Sequence, residues 1–172
     1  MPGTSHRPVA ERWLRVRRTG NLLNGSTALG LLACRAGRAR RRPGPRGLIL
    51  AEGYRLRFPR PGAFTVGNVV LTASDFESLQ RGNGELLDHE DAHAWQWFYC
   101  GGLPFLPLYA VASAWSWLRR GDVASGNWFE RGAGLARGSY LEAPVSNAGF
   151  RLLLRRAQTL IEKPSRLAER SF

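Results

Sequence analysis

A mostly helical α+β fold, with a small antiparallel sheet packed on one central helix, is what this 172-residue sequence predicts. Three observations carry that expectation. From Ser74 onward, segments with helical periodicity alternate with Gly, Pro and Asn punctuation. Between Leu48 and Thr72, β-branched and aromatic residues cluster between turn signals, as two or three short strands would. Six Trp and eight Phe supply enough apolar surface for the packed core of one domain.

Taken in order, residues 1–20 read as an irregular or weakly helical basic arm. Asn24 to Thr27 offer cap-type side chains, and Ala28 to Arg38 reads as a short helix with Leu29, Leu32 and Ala33 on one face. Arg40 to Arg46, with Pro43, Gly44 and Pro45, is a break. Leu48 to Ala51 and the alternating Tyr54 to Phe58 read as strands, and Pro59 to Gly62 as a turn. Phe64–Val66 and Val69–Thr72 form another strand, bent at Gly67-Asn68. Ser74 or Asp75 can cap a short helix; the main helix runs from about Glu85 to Cys100 and stops at Gly101-Gly102. Pro107 to Leu118 reads as a buried helix with Arg119 and Arg120 at its C-terminal end, where cations suit the dipole. Asn127 is placed to cap a helix through about Tyr140, and Asn147 to Glu162 form a last helix with Pro164 as its stop. The organisation expected is a basic extension (1–20), a core (21–145), and a C-terminal helix with a basic tail (146–172).

Charge is unevenly placed. Residues 1–60 carry 14 Arg against Glu11 and Glu52, a net of +12, whereas residues 61–172 balance to zero. Such an arm can meet nucleic acid or an anionic membrane, and its blander reading is a solubilising tail. Cys34 and Cys100 lie too far apart in sequence for a Cys-type zinc knuckle, and a reducing, cytoplasmic setting fits them. No secretory signal is legible, because Arg12, Arg15, Arg17 and Arg18 break the first apolar stretch. The uncharged run Gly101–Leu118 is barely long enough to span a bilayer and holds Pro104 and Pro107, so burial is preferred over peripheral membrane contact.

The chemistry sits in His89-Glu90-Asp91-Ala92-His93. Four residues apart on a helix, His89 and His93 lie on one face, and two imidazoles so placed reach one Zn2+ at roughly 2.0–2.1 Å. Glu90 stands beside that face, in the position of a general base for a water activated by the metal. A catalytic zinc needs a third protein ligand. His6 lies in the arm, and Cys100 would stand some 10 Å along the helix axis, too far to reach. A carboxylate remains. Glu130 begins a helix that follows a helical hairpin and can swing back onto the His face; Asp122 competes, but reads more simply as an ion pair with Arg119 and Arg120.

HEDAHAWQW followed by NWFERGAG resembles the gluzincin pattern of zinc metallopeptidases, in which H-E-x-x-H on one helix is completed by a Glu on a later one. The stretch from about Gly47 to Tyr140 is similar to small bacterial zincin-like proteins with an H-E-x-x-H-x-x-Q helix, an apolar helix with Pro and Tyr, then N-x-F-E. The resemblance implies a minimal zincin-like core with His89, His93 and Glu130 as ligands, Glu90 as catalytic base, and a peptide or flexible protein as substrate.

Around this set, Gln96 is expected either to hydrogen-bond a ligand carboxylate or substrate, or to sit at a helix–helix contact. Asn127 orients Glu130 or only caps its helix, with the cap favoured. Tyr54, Tyr99, Tyr109 and Tyr140 are candidate oxyanion donors. Trp95, Trp97, Phe98, Trp115, Trp117, Trp128 and Phe129 are expected in the core. The Val66–Leu71 strand is a candidate edge for an extended peptide. Two function classes follow: a zinc-dependent peptidase, or a catalytically idle, metal-stabilised module that binds nucleic acid or anionic membrane through its Arg-rich N-terminal third.

Overall fold

The computed structural model describes residues 11–56 and 62–168, with side chains through residue 160. Among them are α1 (Glu11–Leu23), α2 (Ser26–Ala36), β1 (Arg40–Pro43), β2 (Ile49–Glu52), β3 (Phe64–Val66), β4 (Val69–Leu71), α3 (Phe76–Gly82), α4 (Leu86–Tyr99), α5 (Phe105–Arg120), α6 (Trp128–Ala133) and α7 (Ala148–Ala168). The fold is α+β and mostly helical. The first ten residues and the turn expected from Pro59 lie outside the described residues, apart from Gly62.

The sheet has four strands in the order β1-β2-β4-β3 and is mixed, not antiparallel. β1 pairs with β2 and β3 with β4 in antiparallel register, but β2 and β4 run parallel, Leu50 opposite Val70. The apolar run Val69-Val70-Leu71 explains why β4 is central: all three residues are fully buried, which an interior strand covered on both faces requires. Leu50 and Val70 point to one face, where they meet Phe76, Leu86, Leu87 and Ala94. Ala51, Val69 and Leu71 point to the other, toward Cys34 and Tyr54. The sheet is thus sandwiched between α2 and the motif helix α4. Gly30 lets α2 approach: a Cβ there would stand 2.5 Å from the Val66 carbonyl oxygen and 2.9 Å from Val69 Cβ.

Several local expectations are corrected by long-range pairing. Arg40–Pro43, read as a break, forms edge strand β1 because β2 offers it a ladder; Pro43 is tolerated at an edge. Residues 54–56 are irregular, with Tyr54 N–H donating to Thr72 O and Arg55 N–H to Gly37 O. Phe64–Val66 and Val69–Leu71 are two strands of a hairpin, since Gly67 at φ +62° turns the chain instead of bulging it. α6 ends at Ala133 and does not reach Tyr140. α7 continues past Pro164, expected as its stop, to Ala168. α5 buries one face, through Phe105, Ala112 and Ser116, and leaves Leu106, Leu108, Val111 and Trp115 exposed, so it is not a buried helix. Trp97 is buried as expected, whereas Trp115 and Trp128 are half exposed. No helix among the described residues is long and apolar enough to cross a membrane.

The largest departure is at the N-terminus. Residues 11–20, expected as an irregular or weakly helical arm outside the core, belong to α1, which packs against α4. Arg17 is fully buried there; its Nη1 donates to Asp91 at 2.6 Å and its Nη2 to Arg46 O at 2.7 Å. Asn21 Nδ2 donates to Ala94 O at 2.8 Å. Asp91, next to Glu90 in the motif, is the counter-ion that holds α1 to the back of the motif helix. Removing one member of a buried pair strands the other, at about 3–5 kcal/mol. Arg46 also reaches Asp91, at 3.5 Å, and softens the loss. Arg17→Met should therefore cost about 3 kcal/mol of unfolding free energy, measured by urea denaturation; an unchanged midpoint would show that α1 is dispensable to the core.

Candidate metal centre

Helical periodicity puts His89 and His93 on one face of α4, where they are buried with their rings edge to face, centroids 4.6 Å apart. Each ring nitrogen that could turn away is occupied. His89 Nδ1 lies 3.1 Å from Gly134 O, and a carbonyl only accepts, so that nitrogen carries the proton. His93 Nδ1 lies 2.8 Å from Gln96 Oε1. The Gln96 amide is itself oriented, because its Nε2 donates to Phe129 O at 2.8 Å. Both rings therefore present a bare Nε2 lone pair, and the two nitrogens face one another across 3.1 Å.

α6 brings in the third group. Asn127 Oδ1 accepts from Phe129 N–H at 2.9 Å and caps this short helix, setting Glu130 in its first turn. Glu130 Oε2 stands 3.3 Å from His89 Nε2, and its Oε1 3.6 Å from His93 Nε2. Tyr109, from α5, donates its hydroxyl to Oε1. Burial opposes ionisation of Glu130, but the two imidazoles and Tyr109 outweigh it and hold the carboxyl far below the usual carboxylate range. Burial, and then the Glu130 charge, push the Tyr109 hydroxyl far up, so it stays a donor. Burial pulls His93 down, yet its bond to Glu130 and the Glu90 charge prevail, and its pKa is raised.

His89, His93 and Glu130 each offer a ligand atom, all within 4.8 Å of one another, and this buried group can hold a metal ion. The fit is chemical as well as geometric. Glu130 Oε2 is buried without a hydrogen-bond partner and faces His89 Nε2 at 3.3 Å, while Tyr109 donates to Oε1 alone. A tetrahedral ion with bonds of about 2.0–2.1 Å would separate neighbouring ligand atoms by roughly 3.3 Å.

Glu90 is buried beside the triad and outside it. Its Oε2 accepts from Thr65 Oγ1 at 2.7 Å, which joins the motif helix to β3. Burial raises its pKa, only partly offset by His93 and Thr65. A cleft of about 420 Å3 opens on this side, lined by Ala63, Leu86, His89, Glu90, Gly138 and Tyr140 among others. Gly138 packs against the triad: a Cβ there would lie 2.6 Å from His89 Cε1 and 2.8 Å from its Nε2. The Tyr140 ring lies 6.0 Å from that of His89, and burial followed by the Glu130 and Glu90 charges keeps its hydroxyl protonated.

Gln96 contacts neither a ligand carboxylate nor the cleft; it orients His93 and bridges α4 to α6. Asn127 is a cap that also donates to Ser113 Oγ at 3.0 Å, and it does not touch Glu130. Tyr109 is committed to Glu130, Tyr54 packs on Phe64, and Tyr99 is 74 % exposed, which leaves Tyr140 facing the cleft. Asp122 forms no ion pair among the described residues; its Oδ1 accepts from the backbone of Ala124 and Ser125. The candidate peptide edge is corrected too: β4 is interior, and Thr65 O on edge strand β3 is already taken by Trp97 Nε1 at 2.9 Å. Sequence reasoning missed Thr65, whose signal was a lone polar residue between Phe64 and Val66 on a core-facing strand. It also missed the Gly134 carbonyl and Gly138, for which composition offers no signal.

A larger cavity, about 960 Å3, lies elsewhere, lined by Arg15, Arg18, Arg41 and Arg42. Arg42 pairs with Glu52, and the other three have no acidic partner among the described residues. The chain matches no protein-family model, no curated protein and no solved structure.

If Gln96 fixes the tautomer of His93, Gln96→Ala should weaken binding of a divalent ion about 10–100-fold in a competition titration with a metal indicator. His93→Ala and Glu130→Ala should abolish stoichiometric binding; retention in the Glu130 variant would remove it from the ligand set. Gly138→Val, which drives a side chain onto His89, should also lose the ion while leaving the secondary-structure content unchanged.

Proposed function

We propose that this chain is a zinc-dependent peptidase of minimal gluzincin-like type. One observation carries the reading: a buried carboxylate, Glu90, stands beside a two-imidazole, one-carboxylate set without joining it. Three protein ligands with an open fourth position is the donor set of a catalytic zinc, whereas structural sites close all four. Zinc bound there supplies Lewis acidity, polarising a carbonyl and lowering the pKa of a water.

The chain's own groups do the rest. Thr65 holds Glu90 Oε2, leaving Oε1 to take the proton of the attacking water and deliver it to the departing amine. Tyr140, protonated and facing the cleft, donates to the carbonyl oxygen as charge develops on it. Gly134 O and Gln96 keep both imidazoles in the ligating tautomer, and Tyr109 keeps Glu130 from swinging out. The cleft is short, about 420 Å3, which suits a flexible or unfolded segment over a folded protein surface.

A second reading keeps the support of one observation. Arg15, Arg18 and Arg41 line a groove with no acidic partner among the described residues, which favours an anion-binding module whose metal is structural.

Glu90→Gln separates the two. It keeps the size and the Thr65 contact but cannot accept the proton, so peptide hydrolysis should fall by at least about 100-fold while one zinc per chain is retained. Hydrolysis unchanged in Glu90→Gln would remove Glu90 as the base. Zinc retained by a wild type that cleaves no peptide in a broad library would favour the idle module.

A further inference from the structure

α7 is the most sharply two-sided element of the molecule, and the metal centre makes no use of it. Phe150, Leu153, Leu154 and Leu160, with Ala157 between them, recur at helical spacing and form one continuous apolar stripe. All are solvent-exposed: Leu154 by 64 % and Leu160 by 71 %. Arg151, Arg155 and Arg156 flank the stripe, and no acidic residue occurs from Ala148 to Leu160. The helix is nevertheless fixed to the body. Ser146 N–H and Asn147 N–H donate to Arg119 O at 2.9 and 2.8 Å, and Arg119 Nη1 donates to Asn147 Oδ1 at 2.7 Å. Gly149 lies directly on Trp117 and Leu118. The helix it docks on, α5, itself exposes Leu106, Val111 and Trp115, with the Arg119 guanidinium 5.8 Å from the Trp115 ring.

We infer that α7 lies in the plane of an anionic membrane surface, its Leu and Phe stripe among the acyl chains and its arginines at the headgroups. The charge pattern selects this occupant. An apolar stripe bordered by guanidinium groups matches a bilayer interface carrying negative headgroups. A second copy of α7 would set like-charged Arg rows against each other. Nucleic acid would satisfy the arginines and leave the leucines in water. Residues 1–10 and 57–61 carry Arg7, Arg57 and Arg60 and no acidic group, so neither segment complements α7. No described helix is long and apolar enough to cross the bilayer, so the attachment is to the surface. This inference stands independently of the peptidase reading.

The test is co-sedimentation of the full chain with phosphatidylglycerol-containing vesicles and, in parallel, with pure phosphatidylcholine vesicles. Binding is expected to the anionic vesicles and to fall about fivefold for each of Arg155→Glu and Arg156→Glu. Leu154→Asp combined with Leu160→Asp should abolish it. These two side chains are the most exposed on the stripe, so the thermal melt and metal content should not change. Wild-type binding in the leucine double variant would overturn the inference and locate the attraction in charge alone, at the groove of Arg15, Arg18 and Arg41. A concentration-dependent dimer in light scattering that the same variant dissolves, without vesicle binding, would equally overturn it in favour of a second copy.

Discussion

Two imidazole nitrogens and one carboxylate oxygen face one another in a buried space, while Tyr109 donates to the carboxylate's other oxygen. His89 Nε2 and His93 Nε2 face each other across 3.1 Å, and Glu130 Oε2 has no hydrogen-bond partner. Left alone, such a cluster is costly, because the facing Nε2 and Oε2 lone pairs have lost water and gained repulsion. A shared cation resolves all three at once. The surrounding structure is arranged to prevent any other resolution, since each group that could rotate away is held.

That arrangement recruits nearly every element of the fold. α4 carries both histidines; the turn after α6 contributes the Gly134 carbonyl; Gln96 ties α4 to α6 through Phe129; α5 sends Tyr109 to Glu130; β3 sends Thr65 to Glu90. Behind α4, Arg17 on α1 neutralises Asp91, so the motif helix is braced on the side away from the site. A helix carrying three acidic residues and two histidines, and packed against a sheet, needs that brace. The buried pair is worth more for fixing where α4 sits than for net stability, since ion-pair desolvation offsets much of the attraction.

The two ends of the chain are basic in different ways. In the N-terminal third the arginines split: Arg17 is a structural counter-ion, while Arg15, Arg18 and Arg41 line an open groove. In α7 the arginines border an exposed apolar stripe. Charge totals do not separate these cases, because a guanidinium in an internal pair and one beside an exposed leucine count alike.

What was legible in the residues alone follows from local physics. The period of 3.6 put His89 and His93 on one face, Gly101-Gly102 marked the end of that helix, the pair Ser74-Asp75 and Asn127 marked helix starts, and the spacing to Glu130 allowed a carboxylate to return. These are matters of one helix turn or one capping bond. The tertiary structure decided whatever depends on a distant partner. Arg40–Pro43 is a strand because β2 lies beside it, β4 is interior because helices cover both its faces, and α1 is part of the core because Asp91 waits 74 residues away. Thr65, the Gly134 carbonyl and Gly138 join the site for the same reason: a hydroxyl, a carbonyl or a missing Cβ has no chemistry to announce until the fold sets it against an imidazole or a carboxylate.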